Sequence, residues 1–371
     1  MFDFDFERLQ ALGLTARLLQ QSLVPADDAA ADDCRAEAMP CLMRVTAVHR
    51  DGLRLDDGES THRGGIAPRL ARILDADGAA LTVGDWVLAT ATSTGERLVV
   101  RLLAPINRIV RRDAHGRRHP LVSNVDTALL TMGLDDDFSL RRIERYVSLV
   151  SHCGVRPVVV LTKADTVVNA QTLFARQRLV RERLGNELPL LCVDARDADT
   201  ALRLRPFVEP GHTLVLLGSS GAGKSTLANA LLGRAQQETG DVRRRDGRGQ
   251  HTTRSRSLLR LPQGGCIIDT PGLRALRADA DAAAVAAAFG DIQSLATSCR
   301  FRNCTHRHEP DCAVRAAIDS DRLGNYQKLL REAARDSSGP LERRQQLAVW
   351  KARTRAMRQR QRDESTQRKD A

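Results

Sequence analysis

The stretch "VVVLTKAD", residues 158–165, runs four apolar residues into Thr162-Lys163-Ala164-Asp165, the pattern of a strand followed by a polar loop. Such a loop is suited to reading guanine. The Asp165 carboxylate can accept from the N1–H and the exocyclic amine, while the Lys163 stem covers the ring. Its place in the chain is unusual, because a phosphate-binding loop ordinarily precedes a base loop of this kind. Here the one candidate phosphate loop comes about fifty residues later. Either the tetrapeptide is an accident of composition, or a domain has been cut and rejoined.

The later loop is Gly218-Ser219-Ser220-Gly221-Ala222-Gly223-Lys224-Ser225, followed by Thr226, within "HTLVLLGSSGAGKSTLANALLG". It matches the P-loop pattern and has the required context, a strand before it and a helix after it. Its glycines let backbone N–H groups close around phosphate oxygens, and the helix N-terminus adds a positive dipole end. Lys224 is expected to neutralise the β- and γ-phosphates, and the Ser225 hydroxyl to bind Mg²⁺. A second loop, Asp269-Thr270-Pro271-Gly272, follows the apolar run "GGCIID". Asp269 is expected to hold Mg²⁺ through water and the Gly272 N–H to meet the γ-phosphate. Between the two loops, "DVRRRDGRGQHTTRSRS" (241–257) can supply a threonine to the metal, either Thr252 or Thr253.

Ligands bind at the carboxyl ends of parallel strands, and adjacency there does not require sequence order. The base loop and both phosphate loops therefore belong to one α/β domain, 121–290, read as a circularly permuted P-loop GTPase domain. Elsewhere the pattern differs. Residues 1–39 form a helical arm and an acidic linker. From 40 to 106, short apolar runs separated by Gly and Asp turns suggest a small OB-type β-barrel. Residues 107–120 are a basic linker, 291–337 a helical segment with a Cys/His cluster, and 338–371 a basic tail.

The chain has 371 residues, 42% of them apolar, with a mean hydropathy of −0.32, which suits a globular protein of several domains. No apolar run approaches the roughly 18–20 residues that span a bilayer. The opening "MFDFDFERLQ" is acidic and lacks a basic n-region, so no membrane association is expected and the cytoplasm is the expected compartment. A net charge of +11 and a pI near 9.8 point to a polyanionic partner. Residues 341–371 contribute ten Lys/Arg against four Asp/Glu. Between 40 and 106 the sole aromatic residue is Trp86, so base stacking on the barrel is not expected; recognition by phosphate and shape is.

Cys299, Cys304 and Cys312 cluster within fourteen residues, with His306 and His308 between them. Three thiolates and one imidazole are the donor set that tetrahedral Zn²⁺ prefers, and four protein ligands make such a site structural. The segment is too short to form a core, so metal binding would supply much of its folding energy.

The base-loop-first order, flanked by a barrel and a Cys/His knuckle, resembles the RsgA (YjeQ) family of ribosome small-subunit-dependent GTPases. Gly84-Asp85-Trp86-Val87, His251-Thr252-Thr253 and the Cys/His spacing also look like that family. The resemblance implies a multidomain fold: an N-terminal OB-type barrel, a circularly permuted GTPase domain and a C-terminal helical zinc-knuckle domain. It selects His306 as the fourth zinc ligand. It makes Asp194-Ala195 the second base-contacting loop, where Ser-Ala is common, and Thr162 stands where many GTPases have Asn. It implies a cytoplasmic GTPase that binds the 30S subunit and its 16S rRNA late in maturation and hydrolyses GTP to GDP with Mg²⁺, expected to act as a monomer.

Two other functions fit parts of the sequence. An RNA-binding scaffold that senses nucleotide with little turnover shares the basic tail and knuckle, while an ATP-using P-loop enzyme is disfavoured by Asp165. Ras-like GTPases often orient the attacking water with a Gln after the DxxG motif. Leu273 stands there and has no hydrogen-bonding group, so His251 is the candidate catalytic residue, with an rRNA phosphate contact as its other reading. Asp165→Asn is expected to weaken GTP binding by at least about tenfold and to admit xanthine nucleotides. Competition binding with GTP, XTP and ATP checks this; unaltered GTP selectivity would remove the base-loop reading.

Overall fold

A computed structural model gives the fold and describes residues 5–23, 39–112, 118–167, 169–233, 256–270, 277–278 and 282–337. Two short helices come first, α1 (Phe6–Ala11) and α2 (Ala16–Leu23). Asp5 caps α1 by accepting from the Arg8 amide at 3.2 Å.

The barrel follows as β1 (Cys41–His49), β2 (Gly52–Asp56), β3 (Thr61–Ile66), α3 (Pro68–Ala76), β4 (Trp86–Ala91) and β5 (Arg97–Leu102). Pairing runs β1–β2–β3–β5–β4 and closes from β4 back to β1, with β3 and β5 parallel and the others antiparallel. A bulge between Val45 and Ala47 bends β1 enough for it to serve two partners. Met43, Val45, Leu55, Val87 and Val99 fill the interior, with Leu70 and Leu74 of α3 packed against them. This closed five-stranded ring is the OB-type barrel that the alternating pattern suggests. Trp86 is fully buried, so the barrel surface presents no aromatic ring.

Next come β6 (Arg108–Arg112) and β7 (Arg118–Ser123), an antiparallel pair. The α/β part contains β8 (Thr127–Gly133), α4 (Leu140–His152), β9 (Arg156–Thr162), α5 (Ala170–Leu184), β10 (Leu190–Cys192), α6 (Asp199–Leu204), β11 (Thr213–Gly218), α7 (Lys224–Leu232), β12 (Ser257–Arg260) and β13 (Cys266–Asp269). A two-residue strand, β14 (Arg277–Ala278), returns to pair with β6. The sheet order is β10–β9–β8–β11–β13–β12, parallel from β10 to β13, with β12 antiparallel at the end.

Every residue of β8 and of β11 is buried, as expected of central parallel strands covered on both faces. Alternate residues divide between the two sides. Leu130, Met132, Val215 and Leu217 pack with Ile143, Tyr146 and Leu149 of α4. Leu129, Leu214 and Leu216 pack with Leu227, Leu231 and Leu232 of α7. Helices α4 and α7 therefore cover opposite faces, the doubly wound arrangement. Ser139 sits at the N-cap of α4 as its sequence suggests, although its side chain makes no capping bond, and Gly154 follows the helix end at φ +71°.

β12 also pairs with β1 (Ala47 opposite Ser257), so barrel and parallel sheet form one continuous sheet. Arg44, fully buried, locks this junction. Its Nη1 donates to the Leu12 carbonyl after α1 and to Thr213 Oγ1 at the start of β11 (2.8 Å). Nη2 donates to the Asn124 carbonyl at 2.9 Å and Nε to the Gly84 carbonyl at 3.4 Å, while the guanidinium lies 5.6 Å from the Trp86 ring centroid.

Residues Met1–Ala278 form one compact unit and Asp279–Ala371 a second. The second contains α8 (Ala282–Ala288), α9 (Gly290–Ala296), α10 (Ala313–Ala317) and α11 (Ser320–Ser337). Phe289 and Tyr326 meet at 5.3 Å between ring centroids. Arg322 lies over Phe289 and pairs with both Asp291 oxygens at 2.9 and 2.8 Å. Among the described residues, no helix is long and apolar enough to cross a membrane.

Arg44→Met keeps the stem volume but leaves the Leu12 and Asn124 carbonyls and Thr213 Oγ1 without their donor, the Gly84 carbonyl keeping Asn124 Nδ2. It is expected to cost about 3–5 kcal/mol, read as a lowered urea midpoint at unchanged m-value.

Candidate active site

Five loops meet at one end of the parallel sheet because each follows the carboxyl end of a strand. After β11 comes the glycine-rich turn leading into α7. Gly218 is obligatory there, since a Cβ would lie 2.4 Å from the Thr131 carbonyl oxygen. Gly223 has φ +85°, which favours glycine, and it abuts Thr162. Lys224 is buried and donates to the Ser219 carbonyl at 2.7 Å. Burial pushes its pKa down to about 8, against the raising influence of Asp269 and Asp137. Asp269, at the end of β13, is fully buried. The next residue, Thr270, anchors its loop by donating to the Leu216 carbonyl at 2.6 Å.

The base-reading stretch leaves β9 two strands away from β11, about 10 Å across the sheet. Thr162 is fully buried, and its hydroxyl donates to the Ala222 carbonyl in the phosphate loop at 2.8 Å. A hydroxyl at this position thus ties the base loop to the phosphate loop, which accounts for Thr in place of Asn. Lys163 adopts φ +58°, rare for a residue with a Cβ and characteristic of functional loops. Ala164 and the exposed Asp165 lie in the 3-10 turn that follows.

Asp194-Ala195 follows β10, and the Ala164 amide donates to the Val193 carbonyl at 3.3 Å, so the two base loops are neighbours. The Asp194 carboxylate turns back to accept the Arg196 amide at 3.0 Å, and its carbonyl accepts the Thr200 hydroxyl at 2.6 Å. Asp194 therefore shapes its own turn, a role a serine can also fill.

Sequence reasoning missed the fifth loop, which follows β8. Asp135 accepts from Lys163 Nζ at 2.5 Å. Partial burial would raise the Asp135 pKa, but the Lys163 hydrogen bond and charge hold it below the ordinary carboxylate value. Asp137 accepts from the Ser219 hydroxyl and from Arg142 Nη1 (2.6 Å), and Arg142 also reaches Ser219 Oγ at 3.2 Å. The triple aspartate 135–137 at a strand end was the available signal. His251, Thr252, Thr253 and Gly272 lie outside the described residues, so no geometry bears on them. Ser220, Gly221, Ser225 and Thr226 stand where the sequence predicts, in the turn and the first turn of α7.

In the second unit, one donor atom from each of Cys299, Cys304, His306 and Cys312 lies within 4.8 Å of all the others. Cys299 Sγ is 3.9 Å from Cys312 Sγ and 3.6 Å from His306 Nδ1, which is 3.4 Å from Cys312 Sγ. Sulfurs about 2.3 Å from a tetrahedral centre stand about 3.8 Å apart, so these edges fit a metal-sized cavity. Gln327 donates to the His306 carbonyl at 3.0 Å. Glu309 knits the loop by accepting the Thr305 hydroxyl and the Thr305, Arg307 and His308 amides, which hold it well below the ordinary carboxylate range. His308 is exposed and outside the donor set.

The RsgA GTPase family model matches residues 103–279. A "small ribosomal subunit biogenesis GTPase RsgA" of Xylella fastidiosa strain M12 is 42% identical over 323 residues, 82% of this chain and 92% of that protein. This chain belongs to the RsgA GTPase family. A protein of the same name from Xanthomonas axonopodis pv. citri is 42% identical over 307 residues, covering 80% of this chain and 82% of the relative. Among solved structures, YjeQ from Thermotoga maritima aligns with a TM-score of 0.58 at 22% identity, covering 80% of this chain and 99% of that one. YloQ, described as a circularly permuted GTPase, aligns with a TM-score of 0.57 at 21% identity, covering 83% and 100%. The RsgA family and this shared fold agree with the strand order. A segment from α6 to β11 joins what would be the ends of an unpermuted domain, and the chain instead enters at β8.

Proposed function

We propose that this chain is a GTPase of small ribosomal subunit biogenesis that binds the 30S subunit and hydrolyses GTP there, in the cytoplasm. The observation that carries the reading is the Thr162–Ala222 hydrogen bond, which joins a guanine-reading loop to a phosphate loop across a permuted sheet. Asp165 reads the guanine edge, and Lys163, steadied by Asp135, lies over the ring. The Ala195 amide and the phosphate-loop amides complete the nucleotide contacts. Ser225, Asp269 and either Thr252 or Thr253 would hold Mg²⁺, which would supply positive charge against the phosphates.

Lys224 pairs with the β- and γ-phosphates, and Asp137 keeps Ser219 turned away from them. Phosphoryl transfer is mainly positioning and charge stabilisation, so without a water-orienting group beside Leu273 the free enzyme turns over slowly. His251 supplies that group in the 30S-bound state. The 16S rRNA is the surface recognised, the active species is a monomer, and the functional division is that of the sequence: barrel 40–106, GTPase domain 121–290, knuckle domain 291–337. GTP hydrolysis measured with and without purified 30S subunits tests the whole. Stimulation of at least about tenfold, lost in His251→Ala with GTP affinity retained, is expected, and equal rates with and without subunits would leave only a nucleotide-sensing RNA binder.

The metal of the knuckle is Zn²⁺, given three thiolates and one imidazole at tetrahedral spacing. Elemental analysis is expected to find one zinc per wild-type chain. Cys304→Ser is expected to lose it, together with the fold of 299–312 and the α10 turn that follows, with nucleotide affinity unchanged within about twofold.

A further expectation follows from Lys224. In the free protein its pKa is about 8, and a bound phosphate raises it. Below pH 8 the ammonium is already in place. Above that, binding must take up a proton, so GTP affinity falls as pH rises, by up to about tenfold per unit. Titration calorimetry between pH 7 and 9, in buffers of different ionisation enthalpy, reads both the affinity and the proton uptake.

A further inference from the structure

The second residue of the phosphate loop is held from outside the loop. Ser219, fully buried, donates its hydroxyl to Asp137 Oδ2, while its carbonyl accepts Lys224 Nζ at 2.7 Å. One residue therefore stands between a carboxylate and the lysine assigned to the phosphates, and the charge of Asp137 is felt at Lys224. An unopposed carboxylate in that place would work against the site, because a nucleoside triphosphate brings several negative charges of its own.

Arg142 removes the conflict. Its Nη1 donates to Asp137 Oδ1 at 2.6 Å, with Ser219 Oγ at 3.2 Å and the Asp137 carbonyl at 3.3 Å also in reach. The Arg142 and Asp137 side chains are only 24% and 21% exposed, so solvent screens the pair in part. Helix preference does not account for an arginine here. Arg142 is the third residue of α4, whose first turn holds no acidic residue, and a cation at a helix N-terminus opposes the helix dipole. What the guanidinium touches explains its place. The loop that carries Asp137 is also pinned from α5, where Arg176 donates to the Leu134 carbonyl at 2.6 Å and lies 5.2 Å from the Phe138 ring centroid. Asp137 thus reaches Ser219 from a loop fixed on both sides.

We infer that Arg142 is a positioning residue for the nucleotide: it cancels the charge of Asp137, which can then fix Ser219 and the phosphate loop without repelling the phosphates. Arg142 acts through Asp137 and touches no phosphate itself. The inference rests on the phosphate-loop reading of residues 218–225 above. It adds a requirement for charge balance at the foot of that loop, set by a helix outside it.

The test measures dissociation constants for GMP, GDP and a hydrolysis-resistant GTP analogue, with Mg²⁺ present. The proteins are wild type, Arg142→Met, Arg142→Lys, Asp137→Asn, the Arg142→Met/Asp137→Asn double variant and Lys224→Ala, each also melted without nucleotide. Arg142→Met is expected to weaken binding in the order of phosphate charge, by about twofold for GMP and about tenfold or more for the GTP analogue. Asp137→Asn keeps an acceptor for Ser219 and loses only the charge, so all three nucleotides are expected to bind as tightly as to wild type or tighter. The double variant leaves no carboxylate to cancel and is expected within about threefold of wild type. Arg142→Lys keeps the cation, so the ratios among the three nucleotides stay those of wild type; this variant decides the matter if Arg142→Met melts too low to assay. Equal losses for all three nucleotides overturn the inference. A loss in Asp137→Asn as large as that in Arg142→Met assigns the pair to the fold and also overturns it. The same loss in Arg142→Met and in the double variant means that the guanidinium meets phosphate directly, which overturns the positioning role. Lys224→Ala without effect on any nucleotide removes the phosphate-loop reading itself, whatever the Arg142 variants do.

Discussion

A single buried guanidinium, Arg44, holds three parts of the first unit in one arrangement. It satisfies carbonyls from the N-terminal helical segment, from the turn before β4 and from the segment before β8, and it bonds a hydroxyl at the foot of β11. The strand carrying the phosphate loop therefore starts from a point fixed by the barrel. Placing a charge in such a site is costly unless its donors are matched, and here four N–H groups find acceptors while the guanidinium lies against the Trp86 ring. The arrangement is specified by geometry more than by apolar area, since a slightly rotated barrel would leave several of these acceptors unmet.

The nucleotide end of the sheet works by a related economy of contacts. Thr162 ties the base loop to the phosphate loop, Lys163 ties it to Asp135 in the loop after β8, and Asp137 and Arg142 tie that loop to Ser219, so the three loops are coupled pairwise through side chains. Permutation leaves this set intact because its members belong to strand ends or, for Arg142, to the helix that follows one, and strand ends keep their places whichever connection is cut.

Much of this was legible in the sequence. The P-loop and the TKAD tetrapeptide announce themselves because backbone geometry and base chemistry restrict residue choice at fixed spacing. The Cys/His knuckle does so because metal donors are few. The barrel was legible from its alternation and its turn residues. What the sequence hid was long-range pairing between ordinary residues. Nothing local distinguishes Arg44, on a strand of mixed polarity, from the other arginines of the chain, and its partners lie up to 169 positions away. Asp135 and Asp137 look like surface acids until the sheet brings β8 beside β9 and β11. The reason for Thr162 appears only once the Ala222 carbonyl is placed against it.

The pairing of β12 with β1 carries a consequence for solubility. An open parallel sheet ends in strands whose outer N–H and C=O groups invite any extended chain to dock. The β10 margin is only three residues long, too short to recruit much. On the other margin, the barrel occupies the rim of β12 through Ala47. The barrel is thus a built-in guard against self-association as well as a separate module. A shortened chain without it would present a bare margin in every molecule, and two such margins are each other's natural partner.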